Sequence, residues 1–257
     1  MNNNLLIEKE FDMIQSWYEA VDGLYKQDKA KFLKLVDLKA DILTDLIVKD
    51  EKFTNVLIMG FNPMLWKICK DDHLFKYSMV CYDPSSVEFV RQHEDLQHID
   101  VYHISEIQPA EQFDVVMALD SWFTRFPTES AQRDAISLAY GFTKHTLITT
   151  VKDFKNMKSA DRLIDPPMVI NSKEGSHVFV CHREWSPTDK QQFNETMYQL
   201  SNEDVVSCIK EQKRTLYFKQ LAKYVHDLGC REFKISQQHF YKNLFSRSYE
   251  YIATAKK

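Results

Sequence analysis

The sequence predicts an α/β protein built on a parallel sheet. Between residues 55 and 152, short apolar runs alternate with segments of helical periodicity, and each run ends at a polar or turn residue. The runs are continuously apolar, which is typical of strands covered by helices on both faces of a sheet. Because ligands of such sheets bind beyond the carboxyl ends of the strands, a site is expected there.

Five strands are predicted in this region, with helices between them. The strands lie within residues 55–63, 78–86, 99–105, 113–122 and 145–151. Helices are predicted over 85–93, with a serine near the N-cap, and over 129–142. The strand ends that a ligand could meet are Gly60-Phe61-Asn62, Asp83-Pro84, Ser105-Glu106, Asp120-Ser121 and Lys152-Asp153.

An N-terminal helical segment is predicted before the first strand. Apolar residues recur at helical intervals from residue 11 to about residue 48, which indicates two or three amphipathic helices. Either Asp22-Gly23 or the polar stretch 27–29 separates them. We therefore place a helical segment at 1–52 and the main domain at 53–257.

The alternation stops after Lys152, which indicates an insertion at about 153–205. Residues 167–185 have the pattern of a β-hairpin, and a polar, partly helical stretch is predicted at 187–205. A long amphipathic helix is predicted over 206–228, with Gly229 as its C-terminal cap. Two closing strands are predicted within 232–241 and 246–257.

Composition indicates an ordinary globular protein. The chain has 257 residues, 44% of them hydrophobic and 27% charged, and a net charge of −4. That net charge gives no overall attraction to nucleic acid, although a local basic patch would suffice for binding. The five cysteines form no CxxC pair, so no metal site is expected. The sequence shows no signal-peptide pattern and no apolar run of roughly 18 residues, so we expect a cytoplasmic protein that does not associate with a membrane.

The order of the strand ends resembles that of the class I S-adenosylmethionine-dependent methyltransferases. VLIMGFNP (56–63) occupies the position of the family's glycine-rich turn, and VCYDP (80–84) that of the acid that binds the ribose hydroxyls. The resemblance implies a Rossmann-like seven-stranded sheet, mostly parallel, with an antiparallel last strand. It also implies S-adenosyl-L-methionine as the cofactor. The cofactor-binding residues it implies are Met59, Gly60, Phe61, Asn62, Asp83, Pro84, Ser105, Glu106 and Leu119.

The first turn departs from the family pattern because it contains only one glycine. Glycines at this turn permit positive φ and a close approach of ligand to backbone. Here Asn62 tolerates left-handed φ better than most residues, and Pro63 suits the first turn of a helix. Two functions follow as alternatives: a working methyltransferase, or an inactive methyltransferase-like fold that binds a partner.

Two aspartates have both a functional and a structural interpretation. Asp83 is predicted either to accept the ribose hydroxyls or to cap the following helix. Asp120 is predicted either to orient the substrate or to cap a short helix through Trp122. Phe123 and Phe126, together with Trp122, either line a substrate pocket or pack in the core.

A weaker resemblance concerns the FtsJ-like RNA 2′-O-methyltransferases, which carry a Lys-Asp-Lys-Glu tetrad. In this sequence Lys39, Asp120, Lys152 and Glu250 fall at the corresponding places, although Glu250 is far from Lys152 along the chain. The resemblance implies that a lysine of depressed pKa deprotonates the acceptor hydroxyl. The methyl acceptor would then be an RNA, whereas the wider family leaves a small molecule open.

Overall fold

The chain divides into two compact units in the computed structural model. The first unit comprises residues up to 107 with 168–179 and 198–209, and the second comprises 108–167, 180–197 and 210–257. The structure describes residues 14–19, 21–23, 25–26, 29, 55–63, 65, 75–97, 99–108, 111–154, 162–164, 167–172, 175–201, 204–236 and 250–257.

Three parallel strands of the main sheet belong to the first unit. They are β1 (Asn55–Met59), β2 (Lys76–Cys81) and β3 (Asp100–His103). β1 and β2 are buried from their second residue onward, as the continuous apolar runs predict. Their parallel register pairs Asn55 with Lys76, so that both strands end at the same edge.

The helix α1 (Pro84–Gln92) begins at an aspartate. Asp83 is the N-cap, and its side chain accepts a hydrogen bond from the Ser86 N–H. The capping interpretation of Asp83 is therefore confirmed, and the predicted serines lie in the first turn, near the cap. Pro84 takes the first helical position, where its missing N–H and fixed φ cost nothing.

The described part of the second unit contains helices as well as the remaining strands of the main sheet. The strands are β4 (Phe113–Ala118), β5 (Thr143–Lys152), β11 (Glu232–Ser236) and β12 (Glu250–Lys256). Helix α2 (Glu129–Phe142) has Thr128 as its N-cap. Helix α3 (Phe218–Asp227) is closed, as predicted, by Gly229, which follows its last turn and has a left-handed φ of 88°.

The main sheet has seven strands in the order β11-β12-β5-β4-β1-β2-β3. β12 runs antiparallel to both of its neighbours, β5 and β11. The β1–β2, β2–β3 and β4–β5 pairs are parallel. This topology confirms the predicted Rossmann-like sheet with an antiparallel last strand.

A second sheet corrects the prediction for the inserted segment. Its strands are β6 (Arg162–Ile164), β7 (Met168–Ser172), β8 (Gly175–Trp185), β9 (Gln192–Ser201) and β10 (Asp204–Arg214). Their order is β10-β9-β8-β6, and β7 also pairs with β8. The hairpin prediction is confirmed, since Ser172 faces Gly175 across antiparallel strands.

The helices predicted over 187–205 and over the first part of 206–228 are wrong, because these residues form β9 and β10. The apolar and charged residues of β10 are spaced in a way that fits a helix as well as a strand. Pairing with β9 selects the strand, as tertiary context commonly does for such ambiguous patterns.

Of the predicted N-terminal helices, the structure describes a short stretch. Residues 14–19 and 21–23 are helical, so Asp22-Gly23 does not separate two helices. Lys39 and residues 237–249 lie outside the described residues. Within the described residues, no helix has the length and apolar character required to cross a membrane.

Candidate functional site

The turn after β1 combines a left-handed glycine with a helix cap. Gly60 has a φ of 87°, and its N–H donates to the Val80 carbonyl at 2.6 Å. The Asn62 Oδ1 accepts the Leu65 N–H at 3.1 Å, so Asn62 caps the helical residues that begin at Pro63. Asn62 therefore serves as a cap and has no need of left-handed φ.

The side chain of Phe61 points into an aromatic cluster, which we define as Tyr18, Phe61, Phe89 and His93. Phe61 is 7% exposed, and its ring centroid lies 5.4 Å from that of Phe89 and 6.4 Å from that of Tyr18. The bulk that the sequence places in the turn is thus accommodated by the first unit's core.

Asp83 at the end of β2 is a half-buried helix cap. Its Oδ2 accepts the Ser86 N–H at 3.0 Å. A carboxylate offers about four lone-pair sites, so capping the helix is compatible with a ligand role. The neighbouring Tyr82 is 49% exposed and presents a ring at the same strand end. Pro84 is the first residue of α1 and follows Asp83 at this strand end.

The turn after β3 is fixed by Glu106. Its Oε2 accepts the His103 N–H at 2.9 Å and an Arg91 Nη2–H at 2.8 Å. The His103 N–H and then Arg91 lower the pKa of this exposed carboxyl. Ser105 is exposed, and its Oγ lies 2.7 Å from the His103 Nδ1. Glu106 is thus engaged within the protein, whereas the backbone of Ser105 forms the exposed turn.

Histidine 103 links this turn to the end of β2. Its Nε2 lies 3.0 Å from the Tyr82 carbonyl, which can only accept, so Nε2 carries the proton. In the neutral ring Nδ1 is then an acceptor, and both the Oγ–H and the N–H of Ser105 lie within reach, the latter at 3.3 Å. The ends of β2 and β3 are therefore joined by side-chain hydrogen bonds.

In the second unit, the chain after β4 adopts a sparsely populated backbone conformation. Asp120 and Ser121 have φ of 55° and 54°, and they are the non-glycine residues of the described chain with positive φ. The Ser121 N–H donates to the Thr150 Oγ1 at 2.9 Å, which holds the turn against β5. Such strained residues are frequent at functional sites. The preceding Leu119 is buried.

The structure decides two of the alternatives at this turn. The short 3-10 helix Trp122–Arg125 has Ser121, not Asp120, at its N-cap, so the capping interpretation of Asp120 is wrong. Trp122, Phe123 and Phe126 are buried, and Trp122 packs edge-on against the other two rings. They therefore form core rather than a pocket wall.

Lys152 is the last residue of β5, and it lies opposite Glu250 in the antiparallel register with β12. The insertion that separates these two residues along the chain is thus spanned by strand pairing. The second unit contains Asp120, Lys152 and Glu250 at the ends or starts of neighbouring strands.

A charge cluster in the second unit, buried at its centre and partly exposed at its edge, was not predicted from the sequence. We define it as Arg183, Glu195, Lys213, Glu211 and Arg125. The Arg183 Nε donates to a Glu195 oxygen at 2.6 Å, and Lys213 bonds the other oxygen. Lys213 also pairs with Glu211 at 2.7 Å, and Arg125 approaches Glu211 at 3.8 Å.

Opposite charges determine the protonation of this cluster. Burial by itself raises the pKa of Glu195, but Lys213, Arg183 and Lys152 outweigh it and hold that pKa well below its usual range. Burial lowers the pKa of Lys213, but Glu195 and Glu211 outweigh it and raise that pKa. Both groups therefore remain charged at neutral pH.

Aromatic packing joins the end of β5 to the second sheet within this unit. The Phe154 ring, two residues after Lys152, lies 5.6 Å from that of Phe193, two residues before Glu195. Trp185 completes this core cluster. The residues after β5 are therefore held by apolar packing against the strand that carries Glu195.

One sequence signal could have indicated the charge cluster. If residue 193 is assigned to a strand, Phe193 and Glu195 face the same side of the sheet, so that Glu195 is predicted to be buried with Phe193. In the described part of the chain, no group of three or more His, Cys, Asp or Glu side chains is arranged to hold a metal.

The chain is similar in structure to several methyltransferases. The CcbJ methyltransferase from Streptomyces caelestis has a TM-score of 0.62 at 11% identity, covering 84% of this chain and 88% of that chain. For the sugar N-methyltransferase KedS8 from a Streptoalloteichus species, the TM-score is 0.62 at 10% identity, with 92% of each chain covered.

A third similar structure contains bound S-adenosylmethionine. It is CalS10, an amino pentose methyltransferase from Micromonospora echinaspora, with a TM-score of 0.61 at 11% identity, covering 86% of this chain and 91% of that chain. No protein-family model matches the sequence, and no curated protein matches it. The similarities concern structure, and they show that this chain has the Rossmann-like fold found in S-adenosylmethionine-dependent methyltransferases.

Proposed function

We propose that the protein is an S-adenosylmethionine-dependent methyltransferase acting on a small-molecule amine or hydroxyl. The observation that carries the proposal is the carboxyl edge of the first unit. There the left-handed Gly60 opens a turn at the end of β1, and the Asp83 carboxylate stands at the end of β2. The fold shared with known methyltransferases supports the same conclusion.

The residues at this edge fit the cofactor chemically. A carboxylate can accept hydrogen bonds from both hydroxyls of a ribose, and the Asp83 carboxylate stands at the end of β2, where the ribose of such a cofactor would lie. The cofactor contains no pyrophosphate, so it does not need the extra glycines and backbone N–H donors that this turn, with one glycine and a proline, does not supply. Bound S-adenosylmethionine would supply an electrophilic methyl group. The protein would contribute mainly proximity and orientation.

Calorimetry with S-adenosylmethionine and S-adenosylhomocysteine tests this proposal. Because Asp83 is also a helix cap, the informative variant is Asp83→Asn, which keeps a cap acceptor but removes the charge. We expect Asp83→Asn to weaken binding at least about tenfold, as for a lost charged hydrogen bond, without changing the Tm. The control is Glu88→Gln, an exposed carboxylate on α1.

Two outcomes would change the assignment. If the wild-type protein binds neither compound at millimolar concentration, the alternative of an inactive, partner-binding fold replaces the enzyme. If it binds both and Asp83→Asn binds equally well, Asp83 has no part in cofactor recognition.

We propose a small acceptor because two of the similar structures belong to proteins named for sugar substrates. Transfer of labelled methyl groups to panels of amino sugars, small hydroxyl compounds and RNA would identify the acceptor class. Labelling of RNA alone would favour the FtsJ-like interpretation instead.

On the acceptor side, we propose that Lys152 orients or deprotonates the acceptor. Its position at the carboxyl end of β5, opposite Glu250 in register, supports this role. Lys152→Met should then abolish methyl transfer while S-adenosylhomocysteine affinity stays within about twofold. Lys223→Met, at an exposed position on α3, is the matched control and should retain activity. Full activity of Lys152→Met would remove Lys152 from the mechanism.

A further inference from the structure

Phe61 is the residue of the β1 turn that departs most from a glycine-rich pattern. Its neighbours fix the backbone on both sides, because the Gly60 N–H bonds Val80 and the Asn62 side chain caps a helix. Between these two fixed points, the buried Phe61 ring is a third anchor of the turn. Were this ring to leave the core, it would occupy space beside the turn and carry the backbone with it.

The ring is held by groups from two different parts of the chain. Phe89 and His93 belong to or directly follow α1, and Tyr18 belongs to the N-terminal helical residues. The Tyr18 ring is stacked on Phe61 at 6.4 Å and 23°, and lies 5.4 Å from Phe89 and 4.4 Å from His93. Tyr18 therefore contacts all three other members of the aromatic cluster.

Tyr18 is itself fixed at both ends. It is 2% exposed, and its hydroxyl donates to the Asp95 Oδ2 at 3.4 Å. Burial, followed by the charges of Asp95 and Asp22, raises the pKa of Tyr18, so the hydroxyl remains a donor. Val21, one helical turn on, is completely buried. Tyr18 is thus held by Asp95, a group outside the turn that it contacts.

We propose that Tyr18 is a positioning residue for the cofactor turn, and that the N-terminal helix and cofactor binding are coupled through its contact with Phe61. This inference rests on the proposed cofactor site. Coupling of this kind is reciprocal: if the docked helix favours the bound form of the turn, the cofactor must favour docking of the helix.

The first test measures the turn itself, without any ligand. Amide exchange at the Gly60 N–H reports its bond to Val80. Tyr18→Ala should accelerate this exchange at least about tenfold, whereas Tyr18→Phe, which keeps the ring, should stay within about twofold. Tyr18→Leu, which retains apolar volume but lacks a ring, serves if the alanine variant does not fold.

A matched control separates positioning from general loss of stability. Leu96→Ala removes a completely buried side chain of the same unit that is no member of the aromatic cluster. If both variants lose the same free energy of unfolding, the Gly60 amide should exchange more slowly in Leu96→Ala than in Tyr18→Ala. Equal acceleration in both variants would overturn the inference, and so would an unchanged Gly60 rate in Tyr18→Ala.

The second test measures coupling with S-adenosylhomocysteine. We expect its Kd to rise about tenfold in Tyr18→Ala and to stay within about twofold in Tyr18→Phe and Leu96→Ala. The ligand should also slow amide exchange of residues 14–19 in the wild type. Unchanged affinity in Tyr18→Ala would overturn the coupling. If the wild type does not bind the ligand, the proposed function and the coupling to it fall, while Gly60 exchange still decides whether Tyr18 positions the turn.

Discussion

The carboxyl edge of the first unit and the charge cluster of the second unit are built in opposite ways. At the edge, Asn62, Asp83 and Glu106 each bond a backbone N–H three residues away. In the charge cluster, Glu195 bonds Arg183 and Lys213, which are 12 and 18 residues away. The first arrangement is local and partly exposed, whereas the second is buried and depends on three strands of one sheet.

This difference decides what each region contributes. Local caps fix the shape of a turn and stabilise it modestly, so their side chains can also meet a ligand. Two buried cations need a buried carboxylate between them, because a buried charge without an opposite charge beside it is strongly destabilising. The edge is therefore expected to govern binding, and the charge cluster to govern stability.

The largest expected effect is that of Glu195→Gln. The variant leaves Arg183 and Lys213 buried without their carboxylate, which should lower the free energy of unfolding by about 3 kcal/mol. Urea denaturation measures it. Asp134→Asn, an exposed position on α2, is the control and should change stability by less than about 0.5 kcal/mol.

A combined variant sharpens this prediction. Arg183→Met, Glu195→Leu and Lys213→Met together remove all three buried charges and keep apolar volume, so most of the lost stability should return. If Glu195→Gln were as stable as the wild type, the charge cluster would not be the stabilising element we describe.

The dependence of stability on pH is the second effect. The pKa of Glu195 is held well below its usual range, since Lys213, Arg183 and Lys152 outweigh burial. Its contribution is therefore complete above the unfolded pKa of about 4.3 and is lost as pH falls towards the folded pKa. Thermal unfolding between pH 3 and 8 should show this acid decline in the wild type, and a shallower one in Glu195→Gln.

Lys213 acts at the opposite end of the pH scale. Its raised pKa means that its contribution to the free energy of unfolding is present below the unfolded pKa of about 10.4 and is lost as pH rises through the folded pKa.

The acid side of the profile has its own test. If stability declined equally steeply at low pH in the wild type and in Glu195→Gln, the acid decline could not be assigned to the Glu195 carboxylate.

The helix cap at the edge gives a smaller effect. Asp83→Ala should lower the free energy of unfolding by about 1 kcal/mol, because the Ser86 N–H loses its acceptor. The free energy of unfolding of Asp83→Asn should stay within a few tenths of a kcal/mol of the wild-type value. Chemical denaturation of both variants distinguishes capping from charge, and equal losses would show that the carboxylate stabilises the fold through its charge.

The left-handed turn after β4 gives the smallest effect. Glycine adopts positive φ without steric cost, so Asp120→Gly should raise the free energy of unfolding by about 0.5 kcal/mol. Asp120→Ala should lower it by a similar amount, because alanine lacks the local hydrogen bonding that lets aspartate visit this region. Differential scanning calorimetry measures both variants. A loss of stability in Asp120→Gly together with a gain in Asp120→Ala would contradict the left-handed geometry.

Much of the main sheet could be predicted, because its evidence lies in contiguous residues. The five strands predicted from continuous apolar runs are found within a few residues as β1 to β5, and α2 has the predicted ends. The second sheet was mispredicted in β9 and β10, where charged residues are buried. A sequence pattern treats Glu195 and Lys213 as solvated, since only their pairing across strands makes burial tolerable.

The candidate site shows the same division. Asp83, Asp120 and Lys152 could be found from the sequence because each directly follows or ends an apolar run. The sequence could not place Lys152 opposite Glu250, since 97 residues lie between them and only the antiparallel pairing of β5 and β12 brings them together.

The sequence by itself determined the parallel strands, their carboxyl ends and the single glycine of the first turn, because periodicity and turn chemistry are local properties. Tertiary structure decided where the bulky residue of that turn goes. Phe61 is buried against Tyr18, which lies 43 residues earlier in the chain, and ring packing over that distance leaves no trace in a local pattern. The departure from a glycine-rich turn is therefore accommodated by the core and the N-terminal helix.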